Sequence, residues 1–396
     1  MIGRAGFSSK CWRVLRWAGL AAAAPALWAC TSRTLEMPNI TPTATLTTNF
    51  TQKINNEIDI LFMIDNSSSM TEMQQKLYTQ LPLFMQVLES LPNPPSLHVA
   101  VVSSDMGAPG DATSSIMCTR AGDQGQFQSM PRGTCSATTI AAGDTFISDA
   151  DNMPNYTDPI ASVFQCIALL GDKGCGFENQ LASIDRALGA ENLQPGQTPN
   201  PPSTNANFLR PEAYLGIVIL TNEDDCSAPA NTHLYSLNGG SQNIANPLGP
   251  IANYRCNQFG HLCTDPGTGV VEMPPLQPPS DAMTTGATRT LDMTNCMSND
   301  TASGLLTPVS QFVSDIKALK TDPDNQILVA AITAPASPYT VAYLPQSGGQ
   351  NTQPGEVWPV IEHSCGAAGA DDVNPKATMH PTDGSFGDPG VRISSS

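Results

Sequence analysis

The sequence predicts an α/β fold built on a doubly wound, mostly parallel β-sheet with helices on both faces. Four short and mostly apolar segments have the composition of parallel strands covered on both sides: residues 60–64, 97–102, 215–220 and 326–332. Segments with apolar residues at helical spacing alternate with them, and parallel strands need such crossover helices. Proline and glycine are abundant, at 34 and 31 residues, so long loops must accompany this core.

Three helices connect the predicted strands. The first runs on from Met73, and we expect Pro82 to divide it because proline removes one backbone hydrogen bond. The second begins near Phe177, and the third begins at Thr307-Pro308, a pair typical of an N-cap and first turn. Two segments late in the chain are expected to add edge strands to the same sheet, at residues 339–344 and 357–361.

The first strand ends at a cluster of oxygen-bearing side chains. Residues 60–64 are followed by Asp-Asn-Ser-Ser-Ser at residues 65–69. Alternation places Asp65, Ser67 and Ser69 on one side of this turn, at the carboxyl end of a strand, where open α/β sheets bind ligands. Mg²⁺ and Ca²⁺ prefer such oxygen ligands. The alternative is that the serines only cap the helix that follows.

Residues 65–69 resemble the D-x-S-x-S core of the metal-ion-dependent adhesion site (MIDAS) of von Willebrand factor type A (VWA) domains. The resemblance extends over residues 56–335, and its specific residues are concentrated at the first strand. It implies a VWA-like domain in which Asp65, Ser67 and Ser69 hold Mg²⁺, with Ca²⁺ as the alternative. It also implies a protein partner that completes the coordination of the ion with a carboxylate.

Two further ligands are predicted from the same resemblance. Glu178 stands where the family carries a threonine at a glycine-rich helix start, and its alternative role is to interact with its own helix N-terminus. The family also places an aspartate just after the strand at 215–220. There Asn222 holds the closest position, and of the carboxylates that follow we favour Asp224. The alternative is an acidic loop that faces solvent.

The N-terminal residues carry processing information. Residues 1–29 combine basic residues with a short apolar segment, and the Leu-Trp-Ala-Cys that ends at Cys30 resembles a bacterial lipobox. This resemblance implies a lipoprotein signal peptide, a lipidated Cys30 and attachment to the outer membrane, facing either the periplasm or the outside. The alternative is an ordinary secretory signal. Residues 30–55, rich in Thr and Pro, are predicted to form a tether. No later stretch has the roughly 18 apolar residues that a spanning helix needs, so only the lipid would contact the membrane.

Residues 56–396 are predicted to form the VWA-like domain, with insertions at residues 106–170 and 227–303 and a C-terminal helix that is truncated at the chain end. In an exported protein, cysteines in such insertions are expected to form disulfides. The candidate pairs are neighbours in sequence: Cys118–Cys135, Cys166–Cys175 and Cys256–Cys263. A zinc site of Cys256, His261 and Cys263 is the alternative for the last pair.

The features together predict an envelope-anchored, divalent-cation-dependent adhesion protein that is not an enzyme. The sequence lacks both G-x-S-x-G and H-E-x-x-H, motifs typical of hydrolases. A net charge of −17 disfavours a nucleic-acid partner. The alternatives are a secreted serine-type hydrolase and a structural surface lipoprotein whose metal site is vestigial. The oligomeric state stays open.

Overall fold

The computed structural model describes residues 55–108, 118, 121–132, 135, 140–150, 153–236, 244, 247–277, 289–333, 335–337, 339–345 and 357–362. The predicted signal peptide, Cys30 and nearly all of the tether lie outside these residues. The described part has an α/β fold with two five-stranded sheets, so the predicted class is confirmed. None of the described helices has the length and apolar character required to cross a bilayer.

The main sheet places the first strand at its centre, in the order β3-β2-β1-β4-β8. Strands β1, β2, β4 and β8 are parallel, and the short β3 pairs antiparallel with β2. Their bounds are Glu57–Ile64 for β1, Ser96–Ser103 for β2, Ile147–Ser148 for β3, Tyr214–Leu220 for β4 and Ile327–Ile332 for β8. The carboxyl ends of β1, β2 and β4 therefore meet along one edge, which we call the carboxyl edge.

Helices pack against both faces of this sheet. Alternate residues of β1 point to opposite faces, so the strand contributes side chains to both helix–sheet interfaces. One face packs with α1 (Thr71–Glu89) and α2 (Ile160–Ala168) around Phe62 and Phe164. The opposite face packs with α3 (Gln180–Leu188), around Leu61, Met63 and Ile184. Ile316, near the end of α5 (Val309–Lys317), and Ala318, directly after it, pack against this second cluster. The short α6 (Pro323–Gln326) leads into β8.

The second sheet is antiparallel, with the order β10-β9-β7-β5-β6. Its strands are His261–Thr264 (β5), Val271–Glu272 (β6), Arg289–Ser298 (β7), Tyr339–Pro345 (β9) and Val357–Ile361 (β10). The prediction that the last two segments extend the main sheet is wrong. Strand β9 pairs instead with β7 of the 227–303 insertion, and β10 pairs with β9. The insertion also contains α4 (Tyr254–Gly260).

Both insertions contain more regular structure than their sequences predict. The 106–170 insertion contributes β3 and α2, and α2 buries Ile160, Val163 and Phe164 against the main sheet. The 227–303 insertion contributes three strands and a helix. Short strands and helices that are flanked by Pro, Gly and Asn show little periodicity of apolar residues in the sequence. Tertiary packing therefore decides their conformation.

Strand β8 forms as predicted but is not buried. The side chains of Leu328, Val329 and Ile332 are 70%, 61% and 65% exposed. The reason is its position, because β8 lies at the sheet edge and pairs with β4. The predicted truncated C-terminal helix falls within residues 363–396, outside the described part of the chain, so it stays a prediction.

Four disulfides are present among the described residues, and all three predicted pairings are wrong. The bonds are Cys118–Cys175, Cys135–Cys166, Cys226–Cys256 and Cys263–Cys296. Each closes a loop of 30 to 57 residues, whereas the prediction paired cysteines close in sequence. The zinc alternative is also wrong, because both of its cysteines are disulfide-bonded to other partners. Cys365 lies outside the described residues.

Helix α1 continues through Pro82, contrary to the prediction. Proline has no N–H, so the carbonyl oxygen of Tyr78, one turn earlier, loses its helical donor. The side-chain amide of Gln165 in α2 donates to that oxygen at 2.6 Å. The neighbouring helix thus supplies the missing hydrogen bond, and α1 stays continuous.

We expect Gln165→Met to lower the free energy of unfolding by about 1 kcal/mol, because the Tyr78 carbonyl then has no donor. In a Pro82→Ala background the alanine N–H can serve that carbonyl, so the same substitution should cost clearly less. Urea denaturation of the four variants measures the coupling. Equal costs in both backgrounds would contradict this account.

Two carboxyl groups, one on α3 and one on α5, are buried where these two helices pack together. Asp185 and Asp315 are 4% and 2% exposed, and Oδ1 of Asp185 has no hydrogen-bond partner. Asp315 instead accepts from Nε2 of Gln311 at 2.8 Å and from the backbone N of Asn192 at 3.2 Å. Burial, with the nearby charges of Asp315 and Glu191, raises the pKa of Asp185 to about 8. Between the ordinary pKa of an aspartate and about pH 8, the folded protein therefore keeps a proton on Asp185 that the unfolded chain releases.

This raised pKa predicts that stability falls as pH rises from about 4 to 8, because the folded state binds the extra proton in that window. Asp185→Asn removes the titrating group. Between pH 5 and pH 8, the free energy of unfolding should fall less in the variant than in wild type. The difference between the two decreases should be at least about 1 kcal/mol. Urea denaturation at both pH values checks this, with the exposed Asp324→Asn as the control. A variant with the same pH slope as wild type would show the prediction to be wrong.

Candidate functional site

Asp65 lies at the centre of the carboxyl edge, directly after β1, and is fully buried. Its Oδ1 accepts hydrogen bonds from the backbone N of Ser67 at 2.8 Å and from Oγ of Ser104 at 3.2 Å. Its Oδ2 accepts from Oγ1 of Thr221 at 2.6 Å. The donors follow β1, β2 and β4, so one carboxylate joins the ends of three neighbouring strands.

The turn after Asp65 is held from below by Gln74 of α1. Its Nε2 donates to the backbone oxygen of Asp65 at 2.8 Å, and its Oε1 accepts from the backbone N of Leu170 at 3.0 Å. Residues Ser68–Met70 form one 3₁₀ turn, and Met70 precedes α1 without any side-chain cap bond. The alternative, in which the serines cap this helix, stays open.

The two predicted serine ligands meet oxygen atoms from the loop after β4. Oγ of Ser67 and Oγ of Ser69 lie 3.1 Å apart. Oγ of Ser69 is also 3.1 Å from Oδ1 of Asn222 and 3.1 Å from Oε1 of Glu223. A hydroxyl has a single proton, so Ser69 cannot donate to all of these acceptors at once. The cluster has more acceptor oxygens than protons to share.

Glu178, the predicted ligand before α3, lies beside this cluster. It is 1% exposed, and its Oε1 has no hydrogen-bond partner. Burial, with the nearby Glu223 and Asp65, raises the pKa of Glu178 well above its usual range. Burial likewise raises the pKa of Glu223 and of Asp65. None of the ion pairs formed by the described residues involves these three carboxyl groups. No described basic side chain therefore compensates a negative charge on these groups.

The acidic loop after β4 is not a solvent-facing loop, because Glu223 and Asp224 are 3% and 6% exposed. The contact with Ser69 comes from Glu223, one residue before the favoured Asp224. Asp225 has a structural role: its Oδ1 accepts from the backbone N of Leu181 and from Oγ of Ser227, both at 2.8 Å. Asp224 as a ligand stays a prediction.

Sequence reasoning missed three residues of this cluster: Ser104, Thr221 and Glu223. Ser104 and Thr221 directly follow strands that neighbour β1, and Glu223 comes three residues after the end of β4, so strand order points to this part of the chain. Thr221 connects the site to α3, since its Oγ1 also accepts from Nε2 of Gln180 at 3.0 Å. Asp105, beside Ser104, accepts from the backbone N of Gly107 at 2.9 Å, a contact typical of an aspartate in a turn.

The atoms of this cluster that could bind a metal suit a hard cation. They are all oxygens, from carboxylates, hydroxyls and an amide, a set that Mg²⁺ and Ca²⁺ prefer over zinc. The described residues contain no cluster of three His, Cys, Asp or Glu side chains close enough to hold a metal by themselves. A cation at this place would therefore use hydroxyl and water ligands beside the carboxylates. Mg²⁺ commonly binds with few protein ligands and retained waters.

Comparison of the chain with models of known protein families gives no match, and comparison with curated proteins gives none.

We predict that Glu178→Gln raises the free energy of unfolding by about 1–3 kcal/mol in the presence of EDTA. At neutral pH the buried Glu178 carboxyl must either stay charged without a partner or hold a proton that the unfolded chain releases, and a neutral amide needs neither. Denaturation in urea with EDTA measures this change. The matched control is Asp300→Asn, since Asp300 accepts from the backbone N of Val309 and Ser310 and should lose stability on neutralisation. A destabilised Glu178→Gln protein would refute the proposed imbalance.

Proposed function

We propose that this protein is an envelope-anchored binding protein of the VWA type. In this proposal its carboxyl edge holds a divalent cation, and the cation-loaded edge recognises a protein partner. The parallel core of the main sheet, with helices against both faces, supports a doubly wound VWA arrangement. The position of the D-x-S-x-S motif at the end of the central strand supports the placement of the site.

One observation carries the proposal: the carboxyl edge gathers buried acidic and hydroxyl oxygens, and no basic side chain among the described residues forms an ion pair with them. Oγ of Ser69 has three oxygen neighbours at 3.1 Å, and Oε1 of Glu178 has no donor. Burying such groups without compensation is costly, and a bound cation would offset that cost. Ser67, Ser69 and Glu223 are the ligands that the contacts favour. Asp65, Glu178 and Asp224 are further candidates, which would act directly or through water.

Mg²⁺ is the preferred ion, with Ca²⁺ as the alternative, because hydroxyl and water ligands accompany the carboxylates. Ser69 is partly exposed and Ser68 is exposed, so solvent reaches the cluster at this point. A carboxylate of the partner would complete the coordination there. Lipid attachment at Cys30, the tether at residues 30–55 and a place on the outer membrane complete the proposal, with no contact to nucleic acid.

Catalysis by a serine is the weaker candidate. The hydroxyls of Ser67 and Ser69 contact each other, and that of Ser69 also contacts Oδ1 of Asn222 and Oε1 of Glu223. That environment suits the binding of a cation more than the removal of a hydroxyl proton by a base. The proposal therefore includes no enzymatic activity.

Titration calorimetry of the oxidised protein with Mg²⁺, Ca²⁺ and Mn²⁺ tests the proposal. Wild type should bind one ion per chain, and saturation to about 100 times Kd should stabilise the fold by about 2.7 kcal/mol. Asp65→Ala should lose binding at least 100-fold, because the carboxylate anchors the turn that carries both serines. Asp144→Ala, which removes an exposed aspartate of the 106–170 insertion, should bind as wild type does.

Absence of cation binding in the oxidised wild-type protein would favour the structural alternative with a vestigial site. Turnover of simple esters or peptides that Ser67→Ala abolishes would favour the hydrolase. Either result would remove the proposed function.

A further inference from the structure

The 227–303 insertion reaches back to the carboxyl edge through one side chain. Asn253 donates from Nδ2 to Oε2 of Glu223 at 2.6 Å, across 30 residues of sequence. The other carboxylate oxygen of Glu223 lies beside Ser69. Glu223 is therefore shared between the candidate cation site and the insertion.

Asn253 does not have the role expected from its position. It directly precedes α4, where an asparagine commonly caps the helix, yet it makes no side-chain cap bond. Its Oδ1 is buried and has no hydrogen-bond partner. An acceptor oxygen without a donor thus lies on the same amide group whose nitrogen contacts Glu223.

The segment that carries Asn253 is firmly held next to the site. Cys256 is bonded to Cys226, which comes three residues after Glu223. Arg255 is 1% exposed and donates to four backbone oxygens, those of Leu234, Ser236, Gly249 and Pro250. The insertion can therefore place Asn253 at Glu223 with little freedom to move away.

We propose that Asn253 is a further ligand of the cation and that it fastens α4 to the loaded site. This inference rests on the proposed function, since it concerns the same ion. A half-turn of the side-chain amide exchanges Nδ2 and Oδ1, which have nearly the same shape. Oδ1 would then face Oε2 of Glu223, and two such oxygens repel each other unless a cation lies between them.

The two amide orientations thus correspond to two states of the site. Without the ion, Asn253 donates to Glu223; with the ion, it contributes an oxygen. Because binding free energies are reciprocal, an ion that is held by Asn253 also stabilises α4 in its place beside Glu223.

Hydrogen exchange of the full, oxidised chain tests this inference, with Ca²⁺ or EDTA as the only variable. In wild type, Ca²⁺ should slow the exchange of α4 amides at residues 254–260. Asn253→Ala should weaken Ca²⁺ binding by about tenfold or more, as lost metal-site contacts typically do, and Ca²⁺ should no longer slow that exchange. Asn253→Asp should exchange faster than wild type in EDTA, because it meets Glu223 as a like charge, and Ca²⁺ should restore protection.

Asn299→Ala is the matched control for a merely loosened insertion. Asn299 is buried in the same insertion and donates from Nδ2 to the backbone oxygen of Phe259 in α4, at 3.2 Å. Its substitution should speed α4 exchange in EDTA, while Ca²⁺ affinity stays within about twofold and protection by Ca²⁺ persists.

The outcomes separate this inference from the proposed function. If wild type binds Ca²⁺ but Asn253→Ala keeps both the affinity and the Ca²⁺-dependent protection, the inference is wrong and the proposed function stands. If wild type binds no cation at all, both fail. Loss of Ca²⁺-dependent protection in Asn253→Ala, with protection retained in Asn299→Ala and restored by Ca²⁺ in Asn253→Asp, supports the inference.

Discussion

A single carboxylate, that of Asp65, ties together the carboxyl ends of three adjacent strands. Donors from Ser67, Ser104 and Thr221 surround it, so its two oxygens have fixed directions. A buried carboxylate is stable only when hydrogen bonds or a positive charge compensate it. The hydrogen bonds supply the first kind of compensation for Asp65, but Glu178 has an oxygen with neither kind. The rest of the carboxyl edge is arranged around this imbalance.

The disulfides anchor both insertions beside the acidic residues of that edge. Cys175 comes three residues before Glu178 and bonds to Cys118 of the first insertion. Cys226 comes three residues after Glu223 and bonds to Cys256 of the second. Each cross-link restricts the unfolded chain and holds a loop next to a buried carboxyl group.

Strong periodic segments were predictable from sequence, and contacts between distant segments were not. The apolar run before Asp65 identified the central strand, and alternation placed Ser67 and Ser69 together. The disulfide pairs failed because their geometry depends on how the insertions fold, which local sequence does not encode. Continuity of α1 at Pro82 depends on Gln165, which lies 83 positions later. Glu223 was overlooked because adjacent carboxylates look equivalent until backbone geometry assigns one to Ser69.

The central claim is that the oxygens of the carboxyl edge surround one divalent cation. Anomalous diffraction from a crystal soaked with Mn²⁺ tests it most directly. The account predicts one strong peak within about 2.5 Å of Ser67 and Ser69 Oγ, beside Asp65. A crystal of the oxidised protein that shows no peak there, or one only at a distant surface carboxylate, would contradict it.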